Sequence, residues 1–273
     1  MEHKIDGGDF LQSHKSNYTL YDDNAVFELA VMSVIGDREQ QQDSAGYQLK
    51  NNEGLVVVCD GMGGHRGGQI AGTLAANSFL TCYTEDYPCS DPHSWLIDIA
   101  MEADQLIAGL KDDAGEPLKA GSTVAAAFIR ENALFWMSVG DSRIYLFREE
   151  QLVRATADHT YRYLLERQLE SGAIDEDTYH SKMEQGEALV SFLGVDGLPF
   201  IEANDIPFEL KSGDRILLMT DGLYKLVFDD AIRNIIGNFE NIREALDALE
   251  KKAEKCGKQI SRDNMTVALI KMK

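Results

Sequence analysis

Proline is scarce, with five residues in 273, and no Pro/Gly/Ser-rich stretch divides the chain. One domain of this length is at the upper end of what a single core supports. Long apolar runs are missing too. None approaches the ~18 residues of a membrane-crossing helix, and the opening MEHKIDGGDFLQSHKSNY lacks the basic-then-apolar order of a secretory leader. Cysteine is limited to Cys59, Cys82, Cys89 and Cys256, which form no CxxC pair and no zinc spacing. Cys59, inside an apolar run, reads as a small packed hydrophobe. These absences predict a reduced, cytoplasmic protein with no membrane partner. Basic charge is short as well: 26 Lys and Arg stand against 46 Asp and Glu, a net charge of −20. Such a field repels nucleic acid and excludes it as the main partner. Clustered carboxylates at this density would tolerate one another best with divalent cations between them.

The stretch VVVCDGMGGHRGG (56–68) places five glycines in the eight residues after Asp60. Stripped side chains imply that something approaches the backbone. No Gly-Lys-Ser or Gly-Lys-Thr occurs, so there is no P-loop, and a GxGxxG begun at Gly61 and Gly63 fails at Arg66. A phosphate or a metal ion remains. Apolar strands meet aspartate repeatedly: LVVVC runs into Asp60, ILLMT into Asp221 and LFWMSVG into Asp141, while Asp263 precedes MTVALI and Asp43 closes GDREQQQD. Any single Asp-Gly is a favoured turn. Five carboxylates at strand ends, brought to one rim, would make an oxygen-only site suited to Mg²⁺ or Mn²⁺.

Residues 1–25 are polar and weakly patterned, and read as an extension before a domain spanning 26–273. From Val26 the chain reads as strands (VFELAVMSVIG, SAGYQL, LVVVCD), then two helices, QIAGTLAANSFLTCY and PHSWLIDIAMEADQLIAGLK. An antiparallel meander follows in STVAAAFIR, ALFWMSVG, SRIYLFR and QLVRAT. After a polar helical segment come the strand DRILLMTD, helical patterning over 228–256 and a last strand MTVALIKM. This order predicts an α+β sandwich rather than alternating βαβ units.

The ordered series GDREQQQDS, VVVCDGMGGHRGG, AGSTVAAAFI, VGDSRIYLFRE, TADHT, LLMTDGL and SRDNMTVALI resembles the metal-dependent type 2C protein phosphatases, the PPM family, in their bacterial form. The resemblance implies two antiparallel sheets flanked by helices on both sides (α-β-β-α). It also implies a phosphoserine/phosphothreonine protein phosphatase that reverses a serine/threonine kinase and uses two Mn²⁺ or Mg²⁺ ions, with a weaker third. Carried onto this chain, Asp60 would bridge two ions, with the Gly61 carbonyl on the second, and Asp221 and Asp263 would complete the first. Asp43 would orient metal-bound water, Arg38 would grip the phosphate, and Asn264 would support Asp263. For Asp141 a share in the third ion and a plain turn role both stand open.

The chain departs from the family's pattern in places. Gln41 and Gln42 stand where Asn and Glu are usual, so Gln42 offers an amide where a carboxylate would approach the second ion. Met62 occupies the position of the histidine acid of eukaryotic members. The segment 161–194 resembles the family's flap, but Gly186-Glu187-Ala188 replaces its usual Arg and Asn. His65 reads as a solvated residue of the glycine loop, and His159 as a helix-start or network residue. Phosphoprotein substrates and a monomer are expected. The competing readings are a weakly active or inactive pseudophosphatase serving as a regulatory binding module, and another two-metal phosphoesterase acting on a small molecule, nucleic acid being disfavoured by the charge.

Overall fold

The computed structural model describes residues 9–12, 17–64, 66–85 and 89–273. In chain order, β1 (Asp9–Gln12), β2 (Asn17–Asp23), β3 (Phe27–Val34), β4 (Asp43–Lys50) and β5 (Glu53–Gly63) precede two helices, α1 (Gly67–Glu85) and α2 (Pro92–Ala108). The meander consists of β6 (Ala120–Ser122), β7 (Val124–Arg130), β8 (Ala133–Val139), β9 (Arg143–Arg148) and β10 (Gln151–Arg154). Helices α3 (Tyr161–Glu170) and α4 (Glu176–Lys182) follow, then β11 (Glu202–Ala203), β12 (Phe208–Glu209) and β13 (Arg215–Met219). A single turn, α5 (Asp221–Tyr224), leads to α6 (Asp229–Asn238), α7 (Ile242–Cys256) and β14 (Met265–Met272).

Two antiparallel sheets form. One runs β1-β4-β5-β7-β8-β11, with β6 on β5 and β12 on β8; the other runs β10-β9-β13-β14-β3-β2. Side chains alternate between strand faces with period two, and both faces are covered here. On β5, Leu55, Val57 and Cys59 pack with Phe79 of α1 and Leu96 of α2. Val56 and Val58 instead meet Ile216, Leu218 and Ala268 of the opposite sheet. The second sheet repeats the pattern, with Leu217, Val267 and Leu269 packed against Ile232, Leu246 and Leu249 of α6 and α7. Burial on both faces is why these strands read as unbroken apolar runs rather than alternating ones. The α-β-β-α order expected from the sequence is the order observed.

Two local expectations are corrected. The stretch before Val26 is not wholly an extension. Residues 17–23 form β2, paired with β3 in the register Tyr18↔Ser33, and residues 9–12 pair with β4. Tyr18 and Leu20 pack against the inter-sheet core, which holds the polar strand in place. Residues 1–8 and 13–16 lie outside the described residues.

The apolar strand, moreover, does not end at Asp60. It continues to Gly63 by pairing Gly61↔Ser122 and Gly63↔Ala120 with β6. The glycine at 61 makes room for the protein itself, since a Cβ there would lie 2.0 Å from the Gly68 carbonyl and 2.6 Å from the Gln42 carbonyl. That approach seats the start of α1 against β4 and β5.

Candidate metal and phosphate site

Strand alternation decides where the carboxylates go. Val56, Val58 and Asp60 share one face of β5, so Asp60 continues the inter-sheet face to the rim of the sandwich. Asp43 begins β4 directly opposite Asp60, and opposed residues of antiparallel strands project to the same side. From the other sheet, β13 leads through Thr220 into Asp221, and Asp263-Asn264 leads into β14. Asp141 lies where the chain crosses between sheets from β8 to β9. Gly140, at φ +100°, makes that crossing, and a Cβ there would strike Thr123.

The result is one cleft of about 540 Å³ lined by Asp60, Gly61, Asp141, Asp221, Asp263, Arg38, Gln42 and Asn264, with Met62, Lys225, Glu187 and Leu189 also on its wall. Asp43 alone of the expected set lies beneath the cleft rather than on its surface. It is buried, and its Oδ2 accepts the Thr220 hydroxyl at 2.9 Å. Burial, with Asp221 and Asp263 nearby, pushes its pKa up to about 8, against the pull of the Thr220 and Thr266 hydroxyls. Burial also raises Asp60 well above the usual carboxylate range, and Asp43, Asp221, Asp141 and Asp263 all add to the effect. Asp141 is raised to about 6, first by burial and then by Asp221, while Lys225 and the Tyr224 hydroxyl partly oppose the shift. Each shift has one physical cause: negative groups removed from water and pressed on one another.

Cations answer this field. Arg38 Nη2 lies 2.5 Å from Asp263 Oδ2, with both side chains substantially exposed. Lys225 Nζ lies 2.5 Å from Asp221 Oδ2. Among the described residues, no three His, Cys, Asp or Glu side chains form a closed cage. The carboxylates ring an open cleft instead, and Mg²⁺-type sites characteristically complete such a set with water. The donors are all hard oxygens, and the raised pKa values of Asp60 and Asp141 mark a place that lacks positive charge. The set fits divalent ions of the Mg²⁺/Mn²⁺ kind.

Polar bracing holds the rim. Asn264 accepts the Gln42 N–H at 2.8 Å through Oδ1, and its Nδ2 donates to the Ile35 and Gln40 carbonyls at 2.9 and 3.0 Å. This fixes the loop that carries Arg38. Gln42 turns its amide toward the Gly63 carbonyl, 3.3 Å away. The Asp60 N–H donates to Thr123 Oγ1 at 2.9 Å, and Thr123 meets Ser142 Oγ at 2.6 Å.

Buried His159 accepts the Gly140 N–H on Nδ1 at 3.1 Å, and its backbone N–H donates to the Gly140 carbonyl at 2.9 Å. It ties the root of α3 to the Asp141 crossing, as a network residue does. His65 lies outside the described residues. The 161–194 segment brings Glu187, paired with Arg162, and Leu189 to the cleft wall.

Three contributors went unseen in the sequence. Lys225 and Tyr224 follow Asp221 by four and three residues, a helical spacing that could have been read. Asp104 falls on the buried stripe of α2 that also carries Ala100, Ala103 and Ile107. Its carboxylate accepts the N–H groups of Gly194, Val195 and Gly197 at 2.7, 2.9 and 2.6 Å and anchors the end of the flap-like segment.

The sequence profile of the protein phosphatase 2C family matches residues 32–265. The chain is 28% identical over 237 residues to the serine/threonine phosphatase stp of Listeria monocytogenes, covering 85% of this chain and 90% of that protein. The solved serine/threonine phosphatase PstP/Ppp of Mycobacterium tuberculosis superposes with a TM-score of 0.73 at 27% identity, covering 91% of this chain and 99% of the other. A catalytic domain of PstP in complex with two manganese ions superposes with a TM-score of 0.71 at 26% identity over 90% of this chain and 98% of that one. The profile takes in every carboxylate of the cleft, from Asp60 to Asp263, and the chain belongs to the protein phosphatase 2C family.

Proposed function

We propose that the cleft hydrolyses phosphoserine and phosphothreonine in proteins. The chain is a metal-dependent serine/threonine protein phosphatase, and the observation that carries the reading is the convergence of Asp60, Asp141, Asp221 and Asp263 with Arg38 in one cleft. Asp60, Asp221 and Asp263 with the Gly61 carbonyl would hold two ions, and Asp141 with Asp221 a third. Manganese in the related PstP domain supports that ion, with Mg²⁺ served by the same oxygens. When bound, the ions supply activation of water as the nucleophile and neutralise phosphate charge.

The chain's own residues do the rest. Arg38 is held over the cleft by Asp263 through one nitrogen, which leaves other guanidinium N–H groups for phosphate oxygens. Asp43, pinned by Thr220 and paired with Asp60 across the β4–β5 ladder, would orient water at that edge of the cleft. Water adds to phosphorus, the P–O bond to the seryl or threonyl oxygen breaks, and that oxygen takes a proton. Met62 carries none, so solvent supplies it.

The segment 161–194 acts as a flap through Glu187 and Leu189. The finer parts of the reading are substrates phosphorylated by a serine/threonine kinase, a cytoplasmic setting and action as a monomer. The free thiols of Cys59, Cys89 and Cys256 support the reducing compartment. No described helix is long and apolar enough to cross a membrane. The binding-module alternative gains no support from relatives named as phosphatases.

Hydrolysis of p-nitrophenyl phosphate and a phosphothreonine peptide, with and without Mn²⁺, tests this. Turnover should require the metal and fall at least ~100-fold in Asp60→Asn and Asp221→Asn. Turnover by the folded protein that is indifferent to Mn²⁺ and to both substitutions would overturn it.

A further inference from the structure

The single turn α5 places two donors, one after the other, against two of the cleft's carboxylates. The Tyr224 hydroxyl donates to Asp141 Oδ2 at 3.1 Å. Lys225 contacts Asp221 twice, its N–H donating to the Asp221 carbonyl at 3.0 Å and its ammonium pairing with Oδ2. Asp141 and Asp60 add to the negative field on that ammonium. The side chain lies on the cleft wall, half-exposed, so it reaches the carboxylates without being locked among them. Tyr224 is itself held, with the Arg143 guanidinium stacked 3.4 Å from its ring centre, and Arg143 is fixed by a two-pronged pair with Asp158 at 2.9 and 2.7 Å. The turn is therefore anchored from behind and aimed at the Asp141–Asp221 side of the cleft.

Asp141 and Asp221 are the pair to which a third ion was assigned above. We propose that Lys225 is a tethered cation on that side of the cleft: its ammonium neutralises Asp221, and a third divalent ion binds weakly because it must displace Lys225 and the Tyr224 hydroxyl together. Lys225 is then a positioning residue that biases the chain toward two ions. The inference rests on the metal-dependent reading and goes beyond it, by assigning to a side chain the charge that a further ion would supply.

A lone exposed i,i+4 ion pair contributes little. This one differs in its setting, because the acid it holds faces three other carboxylates and its removal leaves their repulsion unanswered.

The test is Mn²⁺ binding by isothermal titration calorimetry and equilibrium dialysis on the full chain, comparing wild type with Lys225→Met and Lys225→Arg. The expected result is two ions on wild type in the micromolar range and a third at least tenfold weaker. In Lys225→Met the third site should tighten by tenfold or more, equivalent to ~1.4 kcal/mol. Lys225→Arg keeps the charge and should restore the wild-type isotherm, which a merely structural loss would not do. Because half of the Lys225 side chain is exposed, the variants should keep the wild-type circular dichroism. Identical isotherms for wild type and Lys225→Met, with both hydrolysing p-nitrophenyl phosphate, would overturn the role of Lys225 and leave the phosphatase reading standing. Failure of all three proteins to bind Mn²⁺ would overturn both.

Discussion

His159 offers a direct test of how the flap-like segment is joined to the cleft, because its ring cannot take a proton without breaking a bond. Its side chain is 3% exposed, with the rings of Tyr163 and Phe200 at 6.3 and 5.9 Å. Nδ1 accepts the Gly140 N–H, which places the proton of the neutral ring on Nε2. Burial lowers its pKa from 6.5 to about 4, with Asp158 opposing only in part. The folded state therefore binds fewer protons than the unfolded state between those values. Stability from this group is complete above about pH 6.5 and is lost as pH falls toward 4. At 1.36 kcal/mol per pKa unit, lowering the pH from 7 to 5 should cost about 2 kcal/mol through this group.

Asn in its place would keep an oxygen acceptor near the position of Nδ1 but would not titrate. Urea unfolding of wild type and His159→Asn at pH 7 and pH 5, followed by circular dichroism in chelator, isolates the effect. The raised carboxylates Asp43, Asp60 and Asp141 change stability in the opposite sense over this range and cancel between the two proteins. Wild type should lose about 2 kcal/mol more than the variant on acidification. Parallel losses in the two proteins would refute the argument, since a histidine that titrates alike in both states contributes no slope.

Gly61→Ala puts a Cβ 2.0 Å from the Gly68 carbonyl, so it should cost about 3 kcal/mol in urea unfolding and impair Mn²⁺ binding even though no ligand atom is removed. Asp104→Ala leaves the N–H groups of Gly194, Val195 and Gly197 without their acceptor. A loss of about 3 kcal/mol is expected, with faster amide exchange at 194–197 than in α2. Arg38→Lys keeps the charge near Asp263 but loses the planar fork, so KM for phosphopeptide should rise about tenfold while Mn²⁺ affinity stays within about twofold.

The layers were legible because apolar runs of strand length and helical patterns alternate in blocks along the chain. Their facing was not, since LVVVC carries no polar residue to mark which side meets helices and which meets the other sheet. NYTLYDD shows the converse. Its Tyr18 and Leu20 alternate with polar neighbours as a half-buried edge strand should, but the surrounding polarity hid a signal of only two residues. The five aspartates could be read because each stands at the border of an apolar strand. What each does could not, since that depends on a register: Asp43 is beneath the cleft only because β4 pairs it with Asp60. Lys225 was passed over for a related reason. Its spacing from Asp221 is visible, but the direction of the turn that carries both is set by the stacking of Tyr224 on Arg143, which is remote in sequence.

The pairing of Asp43 with Asp60 ties the fold to its chemistry. Opposed like charges destabilise a β-ladder, and these two stand where the inter-sheet core ends and water is sparse. A sandwich built only for stability would close that rim with Val or Thr. Both strands instead hold their carboxylates in register by extensive apolar pairing behind them, from Ala45↔Val58 to Gln48↔Leu55. The sheet cannot slip to relieve the repulsion, because a one-residue slip would turn Val56 and Val58 out of the inter-sheet core. Relief must come from a proton, as the raised pKa of Asp43 implies, or from a cation at the rim. The packed core thus holds the carboxylates apart from their preferred solvent and in fixed relation to one another. That is the condition under which a divalent ion binds with little rearrangement of the protein.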